Sequence, residues 1–255
     1  MALLHSPKTA RVPPGAVDTL ASRIRPTSAG RDRLLPLAQA LAPLFPDGGL
    51  RRGTVVGVDT GDGGWGLGKW GKGAGGATTL GFALLASATA AGAWCAALGT
   101  TNPGVLSMVE LGLDLRRLAL VALSGGGSSC PGFPAWPEVA ATLLDGMDAL
   151  LLRPPWPVRS NVARRLGARA RERQAVLIVL GPPAWWPEGP DVRLSVTGGE
   201  WQGVGNGHGH LLGRRAEVTA SGRRVAARPV RMPIWLPAAS GALAPVPEES
   251  ERART

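Results

Sequence analysis

Five short apolar runs alternate with segments of helical pattern through the middle of the chain. The apolar runs lie at residues 54–58, 93–98, 118–123, 148–152 and 175–180. Segments with helical spacing separate them at residues 78–91, 104–112, 137–146 and 160–173. Regular alternation of buried strands and helices requires a mostly parallel sheet with right-handed crossovers and helices on its faces. The sequence therefore predicts an α/β fold.

The pattern changes after residue 180. Near-alternating apolar and polar residues at 191–197, 211–221 and 224–237 indicate a C-terminal antiparallel ribbon. His208 and His210 lie in the Gly-rich sequence NGHGH between two of these stretches, which favours a hairpin turn over a metal site. The apolar spacing at 33–45 predicts one more helix, before the first strand.

The two ends of the chain lack periodic apolar residues. We expect residues 1–33 to form a flexible basic N-terminal arm and residues 238–255 a disordered tail, on either side of a core at 34–237. Residues 77–98 carry no charge and are long enough to span a membrane, but they divide at Gly92 into a helix-like half and a strand-like half. A buried helix and a central strand explain this stretch without a membrane.

The formal net charge is +10, mostly from arginine. Such a charge suits a polyanion, for example a nucleic-acid backbone, although solubility and an arginine-rich codon bias would produce it too. The two cysteines, Cys95 and Cys130, show no C-x-x-C spacing, so we expect a reducing, cytoplasmic location.

Residues 71–86, GKGAGGATTLGFALLA, have the layout of a phosphate-binding loop that continues into a helix. In the pattern G-x-x-x-x-G-K-[ST], backbone N–H groups surround the phosphates, the lysine contacts the β and γ oxygens, and the hydroxyl binds Mg²⁺. Gly71 and Gly76 hold the glycine places, Thr78 the hydroxyl place, and Ala77 the lysine place. The candidate nucleotide contacts of this degenerate loop are Gly71, Lys72, Gly75, Gly76, Thr78 and Thr79.

Several segments of the sequence resemble the RecA recombinase core. They are the sequence before the first strand (GGLRRGTVVGV), the glycine loop and its helix, LGLDLRRLALV at 111–121, and the hairpin sequence at 213–237. The resemblance covers residues 34–237 and implies a RecA-like sheet flanked by helices, with a C-terminal antiparallel ribbon. The arginine-rich style is similar to the actinobacterial ImuA-prime type. That family implies an accessory role in damage-induced translesion synthesis, with an ImuB-like polymerase-related hub and an error-prone DNA polymerase as partners.

The resemblance also implies three catalytic places, and all three are altered in this chain. The loop lysine is replaced by Ala77, the general-base glutamate after the second strand by Thr100, and the metal-side aspartate after the fourth strand by Arg153. Phosphoryl transfer depends on positioning and on charge neutralisation, so these replacements predict a protein that is not an enzyme and has no cofactor. The alternative is a divergent ATPase that uses Lys69 or Lys72 in place of the lost lysine. Weak binding of an anion by the loop backbone also stays open.

Two groups of residues are candidates for DNA binding. Lys69 and Trp70 belong to a Gly/Trp/Lys-rich loop that could stack bases and bind phosphates, or could fold back onto the sheet edge. Arg164, Arg165 and Arg169 lie on the predicted helix 160–173, where they bind a DNA backbone or simply face solvent. A third function, inhibition of a recombination or septation partner through the RecA-like surface, fits the same residues.

Overall fold

The computed structural model describes residues 33–60, 75–100, 103–123, 135–204, 208–223 and 228–247. Four α-helices lie in these segments: α1 (Ala77–Ala90), α2 (Val105–Glu110), α3 (Trp136–Gly146) and α4 (Ser160–Arg173). The strands of the parallel part are β3 (Val55–Asp59), β4 (Cys95–Leu98), β5 (Leu118–Val121), β6 (Ala149–Leu152) and β7 (Val176–Gly181). They are preceded by the short strands β1 (Leu34–Leu35) and β2 (Leu50–Arg51), and followed by β8 (Val192–Val204), β9 (Gly209–Ser221), β10 (Val230–Trp235) and β11 (Ala244–Pro245).

One large mixed sheet organises these elements. Within the described segments its nine strands follow the order β11-β10-β9-β8-β3-β7-β6-β4-β5. Strands β8, β3, β7, β6, β4 and β5 pair in parallel, whereas β8, β9, β10 and β11 pair antiparallel. The predicted α/β class, with a C-terminal antiparallel ribbon, is therefore confirmed.

Each face of the sheet has its own apolar core. On one face, α1 packs across β3, β7, β6 and β4, and the inward residues of the ribbon join the same core. On the other face, α3 and α4 pack against each other and against the parallel strands. The uncharged stretch at 77–98 is divided between α1 and β4, as expected. Among the residues that the structure describes, no helix is long and apolar enough to cross a bilayer.

Two predictions about local structure are wrong. Residues 33–45 do not form a helix, because Leu34–Leu35 pairs with β2 and only a short 3-10 turn forms at Ala42–Leu44. The apolar residues of this segment pack into the core although most of the segment is irregular in structure. Their helical spacing is coincidental.

Residues 238–247, the first part of the predicted disordered tail, are ordered. Ala244 and Pro245 form β11 opposite Trp235 and Ile234, and Leu243 packs against the core. Pairing of β11 with β10 orders this segment, although the composition of the segment does not predict it. Residues 1–32 and 248–255 lie outside the described residues, so flexibility there stays a prediction.

Candidate functional site

The candidate site lies at the edge of the sheet where the parallel strands end. Strands β4 and β6 are neighbours, and Leu98 is in register with Leu152. The chain then leaves β4 through Gly99 and Thr100, and leaves β6 through Arg153. The backbone N–H of Arg153 donates to the Leu98 carbonyl at 2.9 Å. Thr100 and Arg153 therefore lie at the ends of adjacent strands, where the resemblance requires two carboxylates.

Gly99 makes this close approach possible. Its φ is +79°, and a Cβ at this position would overlap the Arg153 carbonyl oxygen. Thr100 is 6% exposed, and its Oγ1 has no hydrogen-bond partner within the described segments. Burial lowers the pKa of the Arg153 guanidinium. Mg²⁺ is usually held through carboxylate oxygens and water, and neither an uncharged hydroxyl nor a cation neutralises its charge.

Asp59 supplies a carboxylate at this edge, but on a distant strand. It ends β3 in register with Gly181 of β7, and β6 lies between β7 and β4. Three strand spacings, roughly 14 Å, therefore separate β3 from β4. Asp59 does not replace the missing carboxylate beside Thr100.

The amino end of α1 forms the second part of the site. Gly76 is the N-cap residue with a φ of 98°, and no side chain caps the helix. Ala77 is 4% exposed and belongs to the apolar core, so its methyl group is used in packing. Thr78 and Thr79 follow in the first turn and are half-buried. Gly71 and Lys72 of the predicted loop lie outside the described residues, as do Lys69 and Trp70.

Arg214 of β9 packs against this end of α1. It is only 7% exposed, and burial lowers the pKa of its guanidinium. Its Nη2 donates to the Gly198 carbonyl at 2.7 Å. A Cβ on Gly75 would lie 3.3 Å from Arg214 Nη1, and a Cβ on Gly76 would lie 2.6 Å from it. The last glycines of the loop thus make room for a buried arginine.

The backbone of Arg214 is fixed as firmly as its side chain. Its N–H donates to the Pro237 carbonyl at 2.8 Å, and its carbonyl accepts from the Leu236 N–H at 2.8 Å. Throughout the described segments no carboxylate lies within ion-pair distance of its guanidinium. The site therefore holds a buried positive charge beside the positive end of the α1 dipole.

Sequence analysis missed this role of Arg214. In the sequence it is one of several arginines of the predicted C-terminal ribbon, whereas the structure buries its side chain. A signal was present, because Arg214 shares strand parity with the buried residues Ala216, Val218 and Ala220. An inward-facing charge in an alternating strand is a reason to look for a specific buried contact.

The predicted DNA-binding arginines of α4 pair with carboxylates of the same chain. Arg169 Nη2 lies 2.7 Å from Asp145 Oδ2 on α3, and Arg165 Nη2 lies 3.0 Å from Glu138 Oε1. Arg164 Nε lies 3.7 Å from Glu188 Oε1. These charges are locally compensated, and two of the three pairs tie α4 to α3.

His208 and His210, for which the sequence favours a hairpin turn over a metal site, lie at the start of β9. His208 lies just before β9, and His210 lies within it. Across the described ranges, no group of three or more His, Cys, Asp or Glu side chains is arranged to hold a metal ion.

The chain shows similarity to a protein family and to a mycobacterial protein. The MT3502 N-terminal domain family matches residues 70–188. Uncharacterized protein Rv3395c of Mycobacterium tuberculosis (strain ATCC 25618 / H37Rv) is 37% identical over 120 residues. This similarity covers 47% of the present chain and 47% of that protein, so the chain matches about half the length of this relative. The family match includes Gly76, Thr100 and Arg153, and it ends before β8.

Proposed function

We propose that the chain is a non-hydrolysing, RecA-like accessory protein in cytoplasmic DNA damage tolerance. It acts by binding a protein partner, and it also contacts DNA. The partners implied by the resemblance are an ImuB-like polymerase-related hub and an error-prone DNA polymerase. The protein itself performs no phosphoryl transfer.

One observation carries the non-hydrolysing assignment. The adjacent strand ends that would need two carboxylates present Thr100 and Arg153 instead, joined by the contact between Gly99 and the Arg153 backbone. An arginine beside the β4 end repels Mg²⁺ electrostatically, and a threonine cannot take up the proton of an attacking water at neutral pH. Ala77 stands where the pattern has the lysine that contacts the β and γ oxygens.

The RecA-like part of the proposal is supported by topology. The strand before the glycine loop lies inside a mostly parallel sheet, with α1 across one face and an antiparallel ribbon on one side. This arrangement is the one that the resemblance implies. The similarity to a mycobacterial protein agrees with an actinobacterial type, while the damage-tolerance role comes from the resemblance alone.

Partner capture tests the accessory role. The full chain, carrying an affinity tag, is purified from DNA-damaged and undamaged cells of its source, and co-purifying proteins are identified by mass spectrometry. The proposal expects a polymerase-related hub protein, enriched after damage. Direct binding is then measured with the purified hub.

A recombinase or a septation protein as the sole stoichiometric partner would support the inhibitor function instead. Capture of no protein under either condition, with a folded and monodisperse bait, would contradict the accessory role. A variant with Leu106→Glu and Val109→Glu provides a useful second bait, because α2 exposes three apolar side chains, Val105, Leu106 and Val109.

A further inference from the structure

The edge of the sheet formed by β5 is open. β5 pairs with β4 on one side, and no strand of the described segments lies on its other side. Every residue of β4 and β6 is buried, whereas every residue of β5 is half-buried or exposed. An uncovered edge strand presents unpaired N–H and C=O groups that can pair with another strand. β5 therefore offers a place for one more strand.

Apolar side chains lie exposed beside this edge, on the face of the sheet that α1 covers. Leu120 of β5 is 45% exposed, and it is in register with Ala97 of β4, which belongs to the core under α1. α2 joins β4 to β5 on the same face, where it buries only Met108. We call the exposed apolar side chains of β5 and α2 the edge patch, which consists of Leu120, Val105, Leu106 and Val109. A group of such side chains beside an open strand indicates an interaction surface.

The edge patch lies in a neutral part of a strongly basic chain. Residues 103–123 contain two acidic residues, Glu110 and Asp114, and two arginines, Arg116 and Arg117, so their net charge is zero. Arg116 Nη2 lies 2.9 Å from Asp114 Oδ2, which compensates the most exposed of these charges. The whole chain has a formal net charge of +10, so two copies repel each other over much of their surface. At the edge patch they can meet without bringing like charges together.

A two-fold axis perpendicular to the sheet covers both the open strand and the helix. Such an axis beside β5 reverses the strand direction, so β5 of one copy pairs antiparallel with β5 of a second copy. The same rotation keeps both copies of α2 on one face of the joined sheet, next to the axis. A single extended segment from another protein would pair with β5 but would leave α2 exposed. A second copy of the chain is therefore the occupant that covers the whole edge patch.

We propose that the chain forms a two-fold symmetric dimer through β5 and α2. The two sheets join edge to edge, and the two edge patches bury each other. Backbone hydrogen bonds between the two copies of β5 set the register, and the apolar side chains supply most of the affinity. Because the interface is small, the dimer is weak, with a dissociation constant in the micromolar range. The inference goes beyond the proposed function, since the partner is a second copy of this chain and not the hub.

Sedimentation velocity of the full chain, at concentrations from about 1 to about 500 µM, tests the proposal. We expect the wild type to change from monomer to dimer over this range. Leu106→Glu and Leu120→Glu should each raise the dissociation constant at least about tenfold, because each places a charge in the apolar interface. Leu211→Glu is the matched control, since Leu211 is 56% exposed and lies on β9, away from the edge patch in the sheet order. It makes the same charge change and should leave the dissociation constant unchanged.

Hydrogen exchange of the wild type distinguishes strand pairing from association elsewhere. In the dimer, the amides of β5 that point away from β4 become hydrogen-bonded. Exchange in a peptide that covers residues 118–121 should therefore slow as the protein concentration rises. A peptide that covers residues 230–235 is the control, because β10 already pairs on both sides, with β9 and β11. This measurement needs no variant, so it decides even if a substitution impairs folding.

A wild type that stays monomeric at about 500 µM overturns the proposal. A dimer that forms without slower exchange in β5, or that Leu106→Glu and Leu120→Glu leave intact, overturns it too. If the monomeric chain captures the hub and Leu106→Glu/Val109→Glu weakens that capture, the edge patch is a surface for the hub instead. Dimer formation is measured without hub, DNA or nucleotide, so the proposed function is judged separately.

Discussion

The guanidinium of Arg214 on β9 packs against the backbone of Gly76 at the start of α1, so closely that a Cβ on Gly76 would lie 2.6 Å from Nη1. The glycine that the sequence pattern assigns to phosphate binding is therefore required by an internal contact. Gly199 of β8 makes room for the same guanidinium from the other side. The loop glycines and the ribbon are parts of one packing arrangement.

Substitution of Gly76 by alanine should destabilise the protein by more than the cost of placing an alanine at a positive φ. Gly92, at the other end of α1, is the matched control, because its φ is +92° and a Cβ there would meet nothing within 4 Å. We expect Gly92→Ala to cost about 1 kcal/mol of unfolding free energy. Gly76→Ala should cost about 1–3 kcal/mol more, because the methyl group collides with Arg214. Urea denaturation of both variants measures the difference.

Arg214→Ala provides the coupling test for the same contact. In that background the methyl group of Gly76→Ala no longer meets the guanidinium, so its cost should fall toward that of Gly92→Ala. Equal costs for the two glycine variants in the wild-type background would show that Arg214 does not pack as described.

The sequence is sufficient to predict the elements that depend mainly on local residue pattern. The apolar runs at 148–152 and 175–180 are β6 and β7 within one residue, since a continuous apolar run can only be a buried strand in an alternating α/β pattern. The helix predicted at 160–173 is α4, because Leu166 and Ala170 repeat at helical spacing and both are buried.

The parts that depend on distant contacts could not be predicted. Leu34–Leu35 becomes a strand because β2 lies beside it, and Ala244–Pro245 becomes one because β10 does. The ion pairs of α4 depend on α3, whose carboxylates have no special spacing relative to the arginines in sequence. Arg214 meets Gly76 across more than one hundred residues, and no local pattern encodes that contact.

Removal of residues 238–255 should lower stability, contrary to expectation for a disordered tail. The deletion removes β11, the bond from the Ala238 N–H to the Ala242 carbonyl at 2.8 Å, and the packing of Leu243. Loss of a partly buried leucine costs about 1–2 kcal/mol, which lowers the Tm by about 2–8 °C in a domain of this size. Deletion of residues 248–255 alone, EESERART, is the control, since it lacks large apolar side chains. Equal melting curves for both truncations would contradict the prediction.

The ion pairs between α3 and α4 should stabilise the protein only above acidic pH. The hydrogen bonds from Arg169, with the charge of Arg173, hold the pKa of Asp145 below its usual value. A lowered pKa in the folded state stabilises it above the unfolded pKa of about 3.9, and the contribution is lost as pH falls through the folded pKa. Asp145→Asn should therefore lower the urea midpoint at pH 7 but not once Asp145 is protonated in the wild type.

Asp47→Asn is the matched control for that measurement, because Asp47 lies 4.0 Å from Arg51 at a half-exposed site. It removes the same charge and should change the midpoint less at pH 7. If Asp145→Asn still has a lower urea midpoint than the wild type at a pH where Asp145 is fully protonated, its effect comes from packing and not from charge.

The Cys95 thiol should be unreactive in the folded protein. Burial in β4, together with the charge of Asp148, raises its pKa to about 12, so the thiolate is scarce at ordinary pH. In a Cys130→Ser background, a disulfide reagent at pH 8 should label no thiol until urea is added, and should then label one. Rapid labelling without urea would show that β4 opens readily to solvent.

Measurement of ATP turnover tests directly whether the protein hydrolyses a nucleotide. Phosphate release from Mg-ATP is measured under multiple-turnover conditions, with and without single-stranded DNA, for the wild type and for Lys72→Ala. Because Ala77, Thr100 and Arg153 stand where the resemblance to RecA implies three catalytic residues, we expect no release above the buffer level from either protein. Sustained release by the wild type that Lys72→Ala abolishes would contradict the account and identify a divergent ATPase.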